Sequence, residues 1–420
     1  MKWLFRQVSM VEAGLPSAPM DLLVQDGLIR RIAPQIIEQD AQVFSRDDFH
    51  VSPGWVDIGA SHGDPGAEHR EDLDSLRAVG AAGGFTALAP WPQTQPPVDH
   101  KAAIHYLLKE SFPSPVEMLP LATVSEKGEG RELAELLDLH QAGAIAFSDG
   151  LHPLHDTGLL LRAFRYLKAV SGLLITFPMD LRLSTEGQMH EGTTSTLLGL
   201  PGIPSIAETL MVQRDLAMQQ YTNGRLLLWG ISAGESVALL EKSPALHQSV
   251  FAAVPLFNLA FSEEDLSGFN TDFKAMPPLR TIEDRDALRK GLKVGTLHLV
   301  SSNHTPWESD RKKVEFPYAS SGAVSLQHVF PLLRTCMPDL PLPRLIELLA
   351  YSPRKILELP VPEIREGKPA NLTFFSPSLP TLADKRQNVS RSEHSPLWGR
   401  TLIGKVFGVC HRGNLWMEGM

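Results

Sequence analysis

Four side chains that bind metals or transfer protons in enzymes lie close together in the sequence: His62, Asp64, Glu68 and His69. Imidazole and carboxylate groups are common zinc ligands, and a bound zinc ion lowers the pKa of its water enough to give hydroxide near neutral pH. The same segment contains an Asp-Pro-Gly run at 64–66, which is typical of a turn that begins at an aspartate. The turn favours structural roles for these side chains, and a metal site on the loop is the alternative.

Other candidate side chains are isolated. His152 and His155 form an HxxH pair in a proline-containing loop, and His304 follows an apolar run, so structural roles are favoured for all three. Cys336 and Cys410 have no CxxC partner, and the chain contains neither a GxxxxGK segment nor a strand-linked GxGxxG segment. We therefore expect neither thiol catalysis nor a glycine-rich phosphate loop.

The type of secondary structure predicted to position these residues differs between three parts of the chain. Residues 1–52 alternate like short strands, residues 53–360 alternate between apolar runs and helical segments, and residues 361–420 again read as strands. The middle part predicts an α/β fold, a TIM-type (β/α)8 barrel. The two terminal parts predict one composite β-sandwich domain beside it.

Composition narrows the class of partner. The 420 residues carry a net charge of -9, which argues against a nucleic-acid or anionic-membrane surface. No apolar run reaches the ~20 residues of a membrane span, and the N-terminus lacks the apolar stretch of a signal peptide. With only two distant cysteines, we expect a reducing, cytoplasmic compartment and no disulfide.

Several runs together resemble type I dihydroorotase, a zinc-dependent member of the amidohydrolase superfamily that acts in pyrimidine synthesis. They extend over essentially the whole chain: PGWVDI at 53–58, DPG at 64–66, AAGGFTAL at 81–88, MHEG at 189–192, GLPGIPSIAE at 199–208, PPLR at 277–280, NHTP at 303–306 and WGRTLIGKV at 398–406. The resemblance implies a barrel with a split β-sandwich, which agrees with the element pattern.

The positions at which the family holds zinc carry other residues here. The resemblance implies that the metal ligands are replaced by Gly59, Ser61, Gly150, Phe177 and Gly230, and the catalytic aspartate by Asn303. The family's substrate-binding arginine is replaced by Gly63. Asp57, whose metal-bound histidine neighbour is missing, is expected to accept hydrogen bonds from nearby backbone. We therefore expect no metal cofactor.

The substrate pocket also differs from the family pattern. Gln93 lies in Trp-Pro-Gln-Thr where the family has MPNT, Met276 replaces an asparagine before Pro-Pro-Leu-Arg, and Trp307 replaces a histidine. These changes predict a bulky, apolar mouth that does not suit a small dianionic ureido acid.

We therefore expect an inactive dihydroorotase-like protein with a structural or regulatory role. The resemblance implies assembly with aspartate transcarbamoylase, and a homo-oligomer is expected. One alternative is a hydrolase of cyclic amide bonds with an altered or absent metal, using His62, Asp64, His152 and His304. Another is a barrel that binds a small apolar molecule near Trp91, Met276 and Trp307.

Overall fold

The computed structural model describes residues 1–12, 14, 16–109 and 113–419. Its strands are β1 (Lys2–Met10), β2 (Met20–Gln25), β3 (Leu28–Ala33), β4 (Gln42–Phe44), β5 (His50–Pro53), β6 (Trp55–Ile58), β7 (Phe85–Ala89), β8 (Glu117–Met118), β9 (Leu121–Ala122), β10 (Ala146–Phe147), β11 (Leu173–Thr176), β12 (Met189–His190), β13 (Gly202–Ile203), β14 (Arg225–Trp229), β15 (Val250–Pro255), β16 (Leu299–Ser301), β17 (Leu372–Leu382), β18 (Thr401–His411) and β19 (Asn414–Met417).

The α-helices are α1 (Leu73–Ala82), α2 (Lys101–Leu108), α3 (Leu136–Gln141), α4 (Thr157–Lys168), α5 (Leu181–Ser184), α6 (Thr193–Leu198), α7 (Ile206–Thr222), α8 (Gly234–Glu241), α9 (Leu256–Ala260), α10 (Ile282–Val294), α11 (Ser309–Lys312), α12 (Val329–Cys336), α13 (Leu342–Ile346) and α14 (Ser352–Ile356). A π-helical turn, Glu347–Tyr351, joins α13 to α14. No helix within the described ranges is long and apolar enough to cross a membrane.

Both termini build one eight-stranded sheet, in the order β19-β18-β17-β5-β1-β2-β3 with β4 beside β1. β17 pairs antiparallel with β5, so that Phe374 lies opposite Val51. The rings of Phe5 and Phe374 stack with their centroids 4.1 Å apart in the core of this sheet. The N-terminal and C-terminal strands therefore form one composite β domain, as the sequence predicts, while its boundaries at 52/53 and 360/361 stay predictions.

Parallel strands between residues 55 and 301 build the barrel. β9, β10, β11, β14, β15 and β16 pair in that order, and β6, β7 and β8 form the adjoining part. The third barrel strand is divided into β8 and β9, and backbone bonds from Leu119 to Leu88 and from Ile145 to Pro120 join it to both neighbours. Apolar residues fill these strands because both of their faces are buried.

The barrel closes between its first and last strands through side-chain hydrogen bonds and a backbone bond from the Ser61 N–H to the His304 carbonyl at 2.7 Å. The Ser301 hydroxyl donates to the Ile58 carbonyl at 2.7 Å, and Asp57 accepts from the Ser302 backbone N–H and hydroxyl, both at 2.7 Å. The expected role of Asp57 as a backbone acceptor agrees with this geometry. The α/β barrel with an added β domain is confirmed.

Helices surround the barrel with their ends fixed by local hydrogen bonds. Asp156 caps α4 by accepting from the Leu159 N–H, and Thr281 and Asp284 form a capping box at α10. These caps satisfy backbone donors at helix starts and so define where each helix begins. The loops that follow the strands are therefore held in place at the barrel mouth.

Candidate functional site

The predicted metal-ligand positions and the predicted catalytic position, Asn303, lie at the carboxyl ends of five barrel strands. Gly59 and Ser61 follow β6, Gly150 follows β10, Phe177 follows β11, Gly230 follows β14 and Asn303 follows β16. The carboxyl ends of parallel strands in a closed barrel meet at one face, where enzymes of this architecture place their active sites. The positions are therefore near one another, although their side chains are not metal ligands.

An aromatic cluster of Trp91, Phe177 and Trp229 fills this end of the barrel. The Trp91 and Trp229 rings meet edge to face with centroids 4.9 Å apart, and Phe177 lies 6.1 Å from Trp229. All three side chains are buried, and Trp229 donates from Nε1 to the Ile58 carbonyl at 3.1 Å. Close packing of this kind gives the barrel end a dry, rigid interior.

Gly59 shows how little room is left for a ligand side chain. Its backbone has φ +102°, a conformation that residues with side chains rarely adopt. A Cβ atom at this position would lie 2.7 Å from both Trp229 Nε1 and Trp91 Cζ2. A histidine at 59 would therefore have to displace the aromatic cluster.

The neighbouring glycines are also tightly covered. A Cβ at Gly150 would lie 2.2 Å from Gln93 Oε1, and a Cβ at Gly230 would lie 3.1 Å from the Phe177 ring. Gln93 is held there because its Oε1 accepts from the Leu151 backbone N–H at 2.9 Å. At Gly63 a Cβ would lie 2.0 Å from the backbone oxygen of Ala67, so a side chain cannot enter without a backbone shift.

Asn303 is the residue predicted to correspond to the family's catalytic aspartate. It has φ +49° and donates from Nδ2 to the Met276 carbonyl at 3.2 Å. The Met276 side chain packs on the apolar interior of the barrel. An amide cannot take up a proton near neutral pH, so this side chain holds the loop around residue 276 and offers no general base.

Zinc requires at least three protein ligands of the His, Cys, Asp or Glu type in a catalytic site. Among residues 1–12, 14, 16–109 and 113–419, no group of three such side chains is placed to hold a metal ion. The positions that would supply them carry glycine, serine and phenylalanine, and the space is occupied by the aromatic cluster. The residues present therefore do not fit the family's metal.

His304, one of the alternative catalytic residues, is fully buried in a structural network. Its Nδ1 accepts from the Ser325 N–H at 3.2 Å, so its proton lies on Nε2, which donates to Glu71 at 3.3 Å. Ser390 also donates to Glu71. The network therefore connects the last barrel strand to the C-terminal segment.

Asp64 is likewise engaged inside the protein. It accepts from the Tyr106 hydroxyl at 2.6 Å and from the Leu73 N–H at 3.3 Å. The hydrogen bond to Asp64 is the main cause that raises the pKa of Tyr106 to about 12. Asp64 is thus part of the packing between its turn, α1 and α2.

A cavity of about 500 Å³ remains at the mouth of the barrel. Its lining includes Ser61, His62, Arg70, Gln93, His152 and Trp307. The four alternative catalytic residues therefore divide into His62 and His152, which line the cavity, and Asp64 and His304, which do not. Burial lowers the pKa of His62 to about 4, so this imidazole is neutral near pH 7.

The mouth is less apolar than the sequence predicts. Trp307 lines the cavity, with the Arg70 guanidinium 4.2 Å from its ring and its Nε1 donating to the Ser321 carbonyl. Trp91 and Met276 instead pack into the barrel interior. Two of the three bulky side chains that were expected to form an apolar pocket thus pack inward, and Trp307 lines the remaining space together with polar side chains.

The sequence interpretation missed Trp229, which contributes most to filling the barrel end. Its signal was present in Trp-Gly-Ile-Ser, directly before a predicted ligand position. Side chains alternate along a strand, but which of them reaches the centre depends on neighbours from other strands. Arg70 and Thr123, which also line the cavity, were missed because no motif marks them.

Comparisons with known proteins agree with this architecture. Residues 50–236 match the family model described as Dihydro-orotase-like. The chain is 35% identical over 401 residues to the dihydroorotase of Syntrophus aciditrophicus, covering 94% of each chain, and 34% identical to that of Carboxydothermus hydrogenoformans, covering 94% of this chain and 93% of the relative.

Solved structures show the same fold at lower identity. The L-hydantoinase of Arthrobacter aurescens superposes with a TM-score of 0.85 at 21% identity, covering 99% of this chain and 96% of the other. The dihydropyrimidinase of Brevibacillus agri gives a TM-score of 0.80 at 17% identity, with 99% and 95% covered. With whole-length identity above one third to dihydroorotases, this chain belongs to the dihydroorotase family of the amidohydrolase fold.

Proposed function

We propose that this chain does not perform the metal-dependent ring hydrolysis of its family and acts as a structural or regulatory subunit in pyrimidine biosynthesis. The aromatic cluster carries the proposal, because Trp91, Phe177 and Trp229 fill the space in which metal ligands would meet. The cytoplasm is the proposed compartment, since the free thiols Cys336 and Cys410 suit a reducing environment.

The chemistry of the family explains why this substitution pattern matters. Hydrolysis near neutral pH needs a hydroxide, and zinc supplies it by lowering the pKa of bound water from 15.7 to about 7. Four histidines and two aspartates buried without their metal would be costly, because unpaired buried polar groups lose several kcal/mol each. Glycine, serine, phenylalanine and asparagine at these positions avoid that cost.

Metal content and turnover together test the proposal. Purified protein should contain well under one zinc per chain, and it should neither close carbamoyl aspartate to dihydroorotate nor open the ring. Elemental analysis and a spectrophotometric assay measure both, with a zinc-containing dihydroorotase as the positive control. Stoichiometric zinc together with ring opening would contradict the proposal.

The proposed partner is aspartate transcarbamoylase, together with a second copy of this chain in a homo-oligomer. Support comes from a difference between two parts of the chain: the family-like scaffold runs are kept, whereas the predicted ligand positions carry other residues. The family-like runs build intact elements: AAGGFTAL forms the end of α1 and β7, GLPGIPSIAE leads through β13 into α7, and WGRTLIGKV enters β18. A barrel that keeps its scaffold without its ligands can still offer a rigid surface for assembly.

A further inference from the structure

A second cavity, of about 190 Å³, lies at the face of the barrel opposite the aromatic cluster. Six polar side chains line it, and we name it the basal pocket: His247, His298, Arg344, Glu347, Ser352 and Lys355. His247 precedes β15 and His298 precedes β16, so both lie at the amino ends of barrel strands. The pocket is thus separate from the mouth.

The two histidines form a hydrogen-bonded pair that fixes where their protons lie. His298 Nδ1 accepts from the Ala252 backbone N–H at 3.1 Å, so the proton of the neutral ring is on Nε2. This Nε2 lies 2.9 Å from His247 Nδ1, which accepts in turn. His247 therefore carries its own proton on Nε2 and can donate it to a ligand.

Positive charge gathers around this pair. Burial, followed by the nearby His247, Arg344 and Lys355, lowers the pKa of His298 to about 3. The lining contains a single carboxylate within the described part of the chain, Glu347, and Arg344 binds it at 2.7 Å. Lys355 is exposed and pairs with no acidic residue that the structure describes, so its charge is available to an anion.

Two residues of the pocket wall have left-handed backbone conformations. His247 has φ +70°, a conformation that is uncommon for residues with side chains. Gly295 has φ +99°, and a Cβ there would lie 3.9 Å from both Arg344 Nη2 and His247 Cε1. This distance is an ordinary van der Waals contact, so glycine at 295 is explained by its left-handed conformation at the end of α10 and not by lack of space.

We propose that the basal pocket binds one tetrahedral oxyanion, either inorganic phosphate or the phosphate group of a small phosphomonoester. The donors are the Lys355 ammonium, the His247 Nε2–H and the hydroxyl of the half-buried Ser352. Lysine binds phosphate as a point charge, and hydroxyl and imidazole donors direct the remaining oxygens. This site lies beyond the proposed scaffold role and does not depend on it.

Isothermal titration of the full-length protein with inorganic phosphate and, separately, with glycerol phosphate tests the proposal at constant ionic strength. We expect saturable binding of at least one of them. Binding of the ester alone identifies a phosphomonoester as the ligand, and equal binding of both identifies the phosphate group as sufficient. Each result supports the site.

Two variants locate the binding. Lys355→Ala removes an exposed ammonium, and Ser352→Ala removes one hydroxyl, so both should keep the fold by circular dichroism. Lys355→Ala should weaken phosphate binding about tenfold, and Ser352→Ala by several fold. The control is Lys313→Ala, an equal charge change at another exposed lysine outside the pocket. Absence of binding, or equal binding by all four proteins, would overturn the proposal.

Discussion

At the scale of single residues, the positions predicted to correspond to metal ligands are closely packed against neighbouring side chains. Gly59 lies against Trp91 and Trp229, and Gly150 lies against Gln93. Acids that remain nearby have other hydrogen bonds: Asp57 accepts from Ser302. Gly59 and Gly150 are consequently part of a packed interior, and placing a ligand side chain at either position means displacing its neighbours.

Restoring the first strand alone should not restore activity. The triple variant Gly59→His, Ser61→His, Gly63→Arg still lacks suitable residues at 150, 177, 230 and 303, and catalytic groups that act as a unit are strongly non-additive. Its side chains also clash with Trp229 and with the Ala67 backbone. We expect no turnover and a loss of roughly 2 kcal/mol or more of stability. Enzyme assay and urea unfolding measure both, with Ser61→His alone as the milder control.

Turnover in this triple variant would contradict the assignment of the ligand positions. A triple variant as stable as the natural chain would instead show that the aromatic cluster rearranges at little cost.

His62 should make stability depend on pH. Its pKa is lowered by burial from 6.5 to about 4, so the unfolded chain binds more protons between these values. The stabilising effect of a neutral His62 is complete above about pH 6.5 and is lost as the pH falls toward 4. The difference corresponds to about 3 kcal/mol. Urea unfolding from pH 7 to 4 should show a smaller loss in His62→Asn, which cannot titrate, and an equal loss would contradict the prediction.

At the scale of elements, barrel closure depends on side-chain bonds between β6 and the end of β16. Asp57 accepts two bonds from Ser302, and Ser301 donates to the Ile58 carbonyl. Because β6 and β16 are short, few other residues can form bonds between them. The junction should accordingly respond strongly to the loss of one acceptor.

Asp57→Ala should destabilise the barrel by about 2 to 3 kcal/mol, because it leaves the buried N–H and hydroxyl of Ser302 unpaired. Asp57→Asn keeps one acceptor oxygen and should cost less. Burial raises the pKa of Asp57, so the amide also removes the cost of a buried charge. Chemical unfolding of both variants gives the comparison. Equal stability of Asp57→Ala and the natural chain would show that closure does not need this carboxyl.

Sequence patterns predicted the strands and helices better than the side-chain contacts between them. Strand–helix alternation and the family-like runs gave the barrel and the composite β domain, because periodicity reports local burial. The aromatic cluster was not predicted, since Trp91, Phe177 and Trp229 come from three separate strand ends and meet only in the closed barrel. The His247–His298 pair escaped for the same reason, with 51 positions between its members.

At the scale of the whole molecule, the proposal concerns assembly. Co-expression with the aspartate transcarbamoylase of the same organism should yield a complex that co-purifies and scatters light at a mass above either protein alone. Specific assemblies bury about 1,200 to 2,000 Å² in total, enough to survive gel filtration. An unrelated enzyme of that organism serves as the negative control.

A chain that stays monomeric, fails to co-purify and leaves transcarbamoylase activity unchanged would contradict the scaffold role. If the chain forms an oligomer with itself but does not bind the transcarbamoylase, the proposed homo-oligomer stands and the proposed partner is wrong.

The shared sheet of the two termini has a consequence for biosynthesis. Asp48 accepts from the Ser378 N–H, 330 positions later, and β5 pairs with β17. At a ribosomal rate of about 5 to 20 residues per second, the first strands wait roughly twenty seconds to a minute for their partner. During that wait the nascent chain presents an unpaired sheet edge, which can pair with neighbouring polypeptides. Assembly of this chain with a partner protein during its own synthesis would therefore begin only when translation is nearly complete.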